Sequence, residues 1–126
     1  MGLRGLNITE IPMFRASQNT LVNIPATAAA LTAGLAAGGQ AGATALASDM
    51  HVVGTANVND GVRLPAALPG EIVFVANQTA VSINVFPATG EQVDAGGANT
   101  AKALAAGKNA IYVCAVAGLW RSVIGA

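Results

Sequence analysis

The sequence predicts an all-β body, a compact antiparallel β-sandwich or barrel, preceded by an extended N-terminal arm. Three observations lead there. Short apolar runs such as Ile72-Val73-Phe74-Val75, Ile83-Asn84-Val85-Phe86 and Ile111-Tyr112-Val113 are rich in β-branched and aromatic residues and have strand length. Turn chemistry separates them, at Asn59-Asp60-Gly61, Leu68-Pro69-Gly70, Thr89-Gly90, Gly96-Gly97 and Ala117-Gly118. The composition also shifts near Asp49, after a stretch from Ala16 to Ser48 that holds no charged residue.

In chain order, residues 1–40 read as the arm and residues 41–126 as the body. The arm opens on a mixed apolar start, breaks at Arg15-Ala16-Ser17-Gln18-Asn19, and continues through Leu21-Val22-Asn23-Ile24-Pro25 into an Ala/Gly tract. Pro12 and Pro25 favour extended backbone before them, so one or two short strands are expected. Residues 26–33 suit a brief helix ended by Gly34 and Gly38-Gly39.

The body, from residue 41, begins with strands over 43–47 and 51–58. Asn59-Asp60-Gly61 tolerates the positive φ values of a tight hairpin, and a strand over 62–64 follows. Leu68-Pro69-Gly70 has Pro and Gly where a type II turn prefers them. The strand over 71–77 puts Ile72, Phe74 and Ala76 on one face, while Val73 and Val75 make the other face apolar too. Such a strand is expected to be covered on both sides. The strand over 82–86 runs into Pro87, which cannot donate to a ladder, and Thr89-Gly90 then lets the chain reverse. The result is a sheet corner with Phe86 at its end. Residues 99–107 fit a short helix or an edge strand; the flanking sheet signals favour the strand. Strands over 110–116 and 119–124 close the sheet.

Composition limits the function. Six Lys and Arg balance six Asp and Glu, which leaves little room for a phosphate-binding face. No nucleic-acid partner is expected. Of the apolar residues 28 are Ala, and five residues of the chain are aromatic, so a lone monomer buries little apolar area. A surface this poor in charge is expected to be covered by a partner. The charge-free stretch is too rich in Ala, Gly and Thr to insert into a bilayer, and it reads as neither a membrane span nor a signal peptide.

Catalytic chemistry is sparse. His51 is the sole histidine and has no acid or Cys at a recognisable ligand spacing; it reads as structural. Cys114, the sole cysteine, reads as a small core residue. Asp60, Glu71, Glu91 and Asp94 sit at turns or strand ends, where solvated carboxylates are ordinary. Gly107-Lys108-Asn109 lacks the first Gly and the Ser or Thr of a P-loop. Glycines 34, 38, 39 and 42 follow no convincing strand, so no dinucleotide fingerprint is present. Asn7-Ile8-Thr9 and Asn77-Gln78-Thr79 match the glycosylation pattern, a common chance match. Tyr112 and Trp120 either fill the core or form a carbohydrate-stacking pair. No catalytic, metal or cofactor residues are assigned, and the chain is not expected to be an enzyme.

Four spaced elements recur together. They are Leu64-Pro65-Ala66-Ala67 with Pro69-Gly70, Val85-Phe86-Pro87-Ala88-Thr89-Gly90, Ala106-Gly107-Lys108, and Gly118-Leu119-Trp120. In this order they resemble a domain of tailed-bacteriophage virion proteins, the head decoration or cement proteins. The resemblance covers residues 41–126, about two-thirds of the chain. It implies a homotrimer made in the bacterial host cytoplasm, bound on the virion's capsid surface and bridging neighbouring major capsid subunits. Residues 1–40 then become the anchoring arm, with Leu3, Arg4, Leu6, Ile8, Ile11, Phe14 and Arg15 as capsid contacts and Phe86, Pro87 and Gly90 as the structural corner. Related domains in tails and fibres keep an alternative open, a module binding a host receptor or glycan through Tyr112 and Trp120.

Overall fold

Alternating apolar residues make strands throughout the body, and successive strands enter two different sheets. The computed structural model describes residues 31–125. Its strands are β1 (Leu31–Thr32), β2 (Thr44–Ala45), β3 (Met50–Thr55), β4 (Gly61–Arg63), β5 (Ile72–Asn77), β6 (Ile83–Phe86), β7 (Gln92–Val93), β8 (Lys102–Leu104), β9 (Asn109–Val116) and β10 (Leu119–Ile124). The first sheet has the order β1-β3-β5-β9-β10-β7, and the second has β2-β4-β6-β8.

The chain is mostly β, but it is not a plain antiparallel sandwich or barrel. From β1 to β6 it coils: β1, β3 and β5 stack in parallel in one sheet, β2, β4 and β6 in the other. Three coils make a short solenoid-like stack. Antiparallel pairing enters afterwards, where β8 joins β6, β9 joins β5 and β10 folds back on β9. The strand β7 then lies parallel to β10 at the sheet's far edge.

Asn59-Asp60-Gly61 explains the difference from the sequence expectation. It is a turn, with Asn59 at φ 66° and the Asp60 N–H donating to the Asn57 carbonyl at 3.1 Å. Yet Asp60 is buried, and its carboxylate accepts from Asn57 N at 2.8 Å and from Ala36 N at 2.9 Å. Those bonds tie the turn to the preceding coil, so the chain crosses to the second sheet instead of returning beside β3. A local sequence signal reports that the chain bends; it does not report which sheet it enters.

Other local readings keep their place. The Glu71 N–H reaches the Leu68 carbonyl at 3.1 Å with Gly70 at φ 95°, as the Pro-Gly turn requires. Residues 99–107 contain the strand β8, not a helix. Of the helix expected over 26–33, residues 26–30 lie outside the described residues, and Leu31–Thr32 is a strand in register with β3. A single helical turn follows instead at Gly39–Gly42. Residues 31–40, grouped with the arm by composition, thus belong to the first coil: Ala33 is in the core, and Gly34 pairs with Gly61.

The core lies between the sheets. Val53, Val73, Val75, Tyr112, Cys114 and Trp120 come from the larger sheet and meet Val62, Leu64, Ile83, Val85 and Leu104 from the smaller. Asn77 is the most deeply buried of the polar residues, beside His51 and Asp60, and it is satisfied. Its Nδ2 donates to the carbonyls of Val81, Leu104 and Ala105, and its Oδ1 accepts from Thr79.

Candidate interaction surface

The period of two along the strands gives the larger sheet a second, outward face. While His51, Val73, Val75, Ala110, Tyr112, Cys114 and Trp120 are buried, Met50, Ile72, Phe74, Ile111, Val113, Arg121 and Val123 alternate with them. The strand registers arrange these in rows. Met50, Phe74, Ile111 and Val123 form one row across four strands; Ile72, Val113 and Arg121 form the next. Ile72 is 52% exposed, Ile111 42%, Met50 41% and Val123 65%. The expectation of cover on both sides is therefore half met among the described residues. One face of β5 and β9 packs on the core; the other meets solvent.

This face is apolar and nearly free of charge. Arg121 is exposed on it and takes part in no ion pair among the described residues. At its margin Asp49, Gly70, Glu71 and Ile72 line a hollow of about 60 Å³. What such a face can do chemically is bind: it offers contact area, one cation on β10 and two carboxylates at the margin beside β5. Sequence reasoning shows β5 apolar on both faces but leaves Ile111, Arg121 and Val123 unassigned. The strict alternation around Tyr112 and Trp120 was the available signal.

The proposed arm contacts, Leu3, Arg4, Leu6, Ile8, Ile11, Phe14 and Arg15, lie outside the described residues. The corner residues come together. Phe86 ends β6 with its ring over Gly61, where an added Cβ would stand 2.9 Å from Cε2. Pro87 is buried, and its carbonyl accepts from Gln40 Nε2 at 2.8 Å. Gly90 has φ 83°, and its N–H donates to Asn99 Oδ1 at 2.7 Å. This corner fastens the third coil to the first.

Tyr112 and Trp120 do not form a carbohydrate platform. Both are fully buried. Burial holds the Tyr112 phenol well above its ordinary range, and nearby Asp94 adds to the shift.

The polar residues capable of chemistry serve the fold. His51 is buried between two backbone groups: Ser48 N donates to its Nε2 at 3.1 Å, and its Nδ1 lies 3.3 Å from the Phe74 carbonyl. Burial lowers its pKa despite that carbonyl and Asp49. The carboxylates of Asp60 and Glu91 accept backbone N–H groups, contrary to a solvated reading. Asp94 joins Lys102 in an ion pair and accepts from Ser122 Oγ at 2.6 Å and Ser122 N at 3.0 Å. Burial pushes its pKa up, but these bonds outweigh it and hold the carboxyl at about 2. Cys114 is buried and donates weakly to the Val116 carbonyl. Among the described residues no three His, Cys, Asp or Glu side chains gather as metal ligands, and no helix is long and apolar enough to cross a membrane. No protein-family model, curated protein or solved structure matches this chain.

Proposed function

We propose that this chain is a non-enzymatic structural protein of a tailed-phage virion, a decoration protein that binds the outside of the capsid and bridges neighbouring major capsid subunits. The observation that carries the reading is the open apolar face on a chain with so little charge: it is a surface made for packing against protein. The elements behind the phage resemblance also occupy comparable places, each at a turn or corner. Leu68-Pro69-Gly70, Val85 to Gly90, Ala106-Gly107-Lys108 and Gly118-Leu119-Trp120 all mark points where a strand ends or begins.

A ligand that binds the assembled shell and not its separated subunits stabilises the shell by mass action. Many weak sites on one lattice add to this without a high affinity at any one of them. The arm provides the anchor, and deleting residues 2–24 is expected to abolish capsid binding while the body stays folded. Undiminished binding by the truncated protein would remove that assignment. The main test is copy number, measured by quantitative mass spectrometry of purified virions. A ratio near one copy per capsid subunit supports a lattice-wide decoration protein. A few copies per hundred rejects it in favour of a tail or fibre module.

A further inference from the structure

The geometry points to a pairing of two copies of this chain through the outer face of the six-stranded sheet, with Arg121 of each copy entering the Asp49–Glu71 hollow of the other. The pairing goes beyond the virion reading and stands or falls without it.

Symmetry is the first argument. A two-fold contact needs a patch that complements itself. The row Ile72, Val113, Arg121 lies across three adjacent strands, β5, β9 and β10, with Val113 on the middle one. A two-fold axis running along β9 at Val113 carries each position on β10 onto the matching position over β5. Arg121 of one copy then stands over Ile72 of the other, beside the hollow that Asp49, Gly70, Glu71 and Ile72 line. The same operation sets Ile111 against Ile111 and Val123 against Phe74. The two sheets face each other in the aligned packing class, about 10 Å apart.

Charge is the second. The face has one cation, Arg121, and its margin has Asp49 and Glu71; the operation that joins the apolar rows also joins these opposite charges, twice. Area is the third. The exposed side chains of the face amount to roughly 500 Å² per copy, so a pair covers about 1,000 Å², near the lower bound for a specific interface. Dissociation in the micromolar range is the corresponding expectation.

The test is the mass of the full chain by sedimentation velocity between about 1 and about 200 µM. Two-copy particles that dissociate on dilution support the pairing. A single copy throughout overturns it, and so does a three-copy particle, the state that the phage resemblance implies. Arg121→Glu and Glu71→Arg are each expected to weaken the pair by at least about tenfold, and the two together to restore it to within about threefold. An unchanged constant in Arg121→Glu, with the circular dichroism of the native chain, overturns the charge exchange. Val113→Cys in a Cys114→Ala background is expected to cross-link to itself with a short bis-maleimide reagent, since thiols on sheets about 10 Å apart stand too far for a direct disulfide. Failure to cross-link in a chain that still pairs overturns the axis.

Discussion

Two side chains show how single residues set the response to pH. His51 is held neutral, since a proton on Nε2 would end its acceptance of the Ser48 N–H, and its pKa is lowered from 6.5. The unfolded chain therefore takes up a proton that the folded chain resists. Stability is expected to fall as the pH drops through 6.5 and to level off once the folded ring titrates. Urea midpoints between about pH 8 and 5 measure this, and His51→Gln should flatten the slope across that interval. Asp94 acts in the opposite range. Its pKa is lowered from 3.8 to about 2, so its contribution is complete above 3.8 and disappears as the pH falls through 2. Lys102 is 38% exposed, so solvent screening trims the pair, and Asp94→Asn is expected to cost about 1–2 kcal/mol at neutral pH by chemical denaturation. Neither role was legible in the sequence. A carboxylate at a turn looks the same whether it faces water or, like Asp60, two backbone N–H groups; what separates them is a partner 24 residues away.

At the scale of elements, most strands could be placed beforehand and their partners could not. Alternation located β5, β6, β9 and β10, and Pro and Gly located their ends, because strand and turn are local properties. Pairing is not. The parallel bonds from β3 to β5 join Met50 with Phe74 and His51 with Val75, and the sequence between them records only the turns. Where coils meet, the tolerance for side chains is small. A Cβ on Gly34 would stand 2.0 Å from the Gly42 carbonyl oxygen, a backbone atom with nowhere to go. Gly38, directly before that helical turn, has nothing within 4 Å and an ordinary φ of −82°. Gly34→Ala is therefore expected to lower stability by more than about 2 kcal/mol, and Gly38→Ala to leave it equal or slightly higher. Thermal unfolding of the two variants beside the native chain decides between them.

For the whole molecule, topology predicts speed. Every coil must close a loop before its parallel bonds form, as where Met50 pairs with Phe74, so refolding is expected in milliseconds to seconds by stopped-flow fluorescence of Trp120. Microsecond refolding would contradict this account of the fold. The buried Trp120 that makes the experiment possible was assigned to the core or to a sugar platform from sequence, and only its place on the inward row of β10 decides. The coil itself carries a consequence of another kind. Each coil repeats the same operation, a strand in one sheet and then a strand in the other, while the antiparallel end formed by β8, β9 and β10 closes the series. Height and closure are therefore separable: a duplicated middle coil would lengthen the body by one strand spacing, about 4.8 Å, with both ends unaltered. The fold is a ruler with a fixed graduation, and its height changes in whole steps.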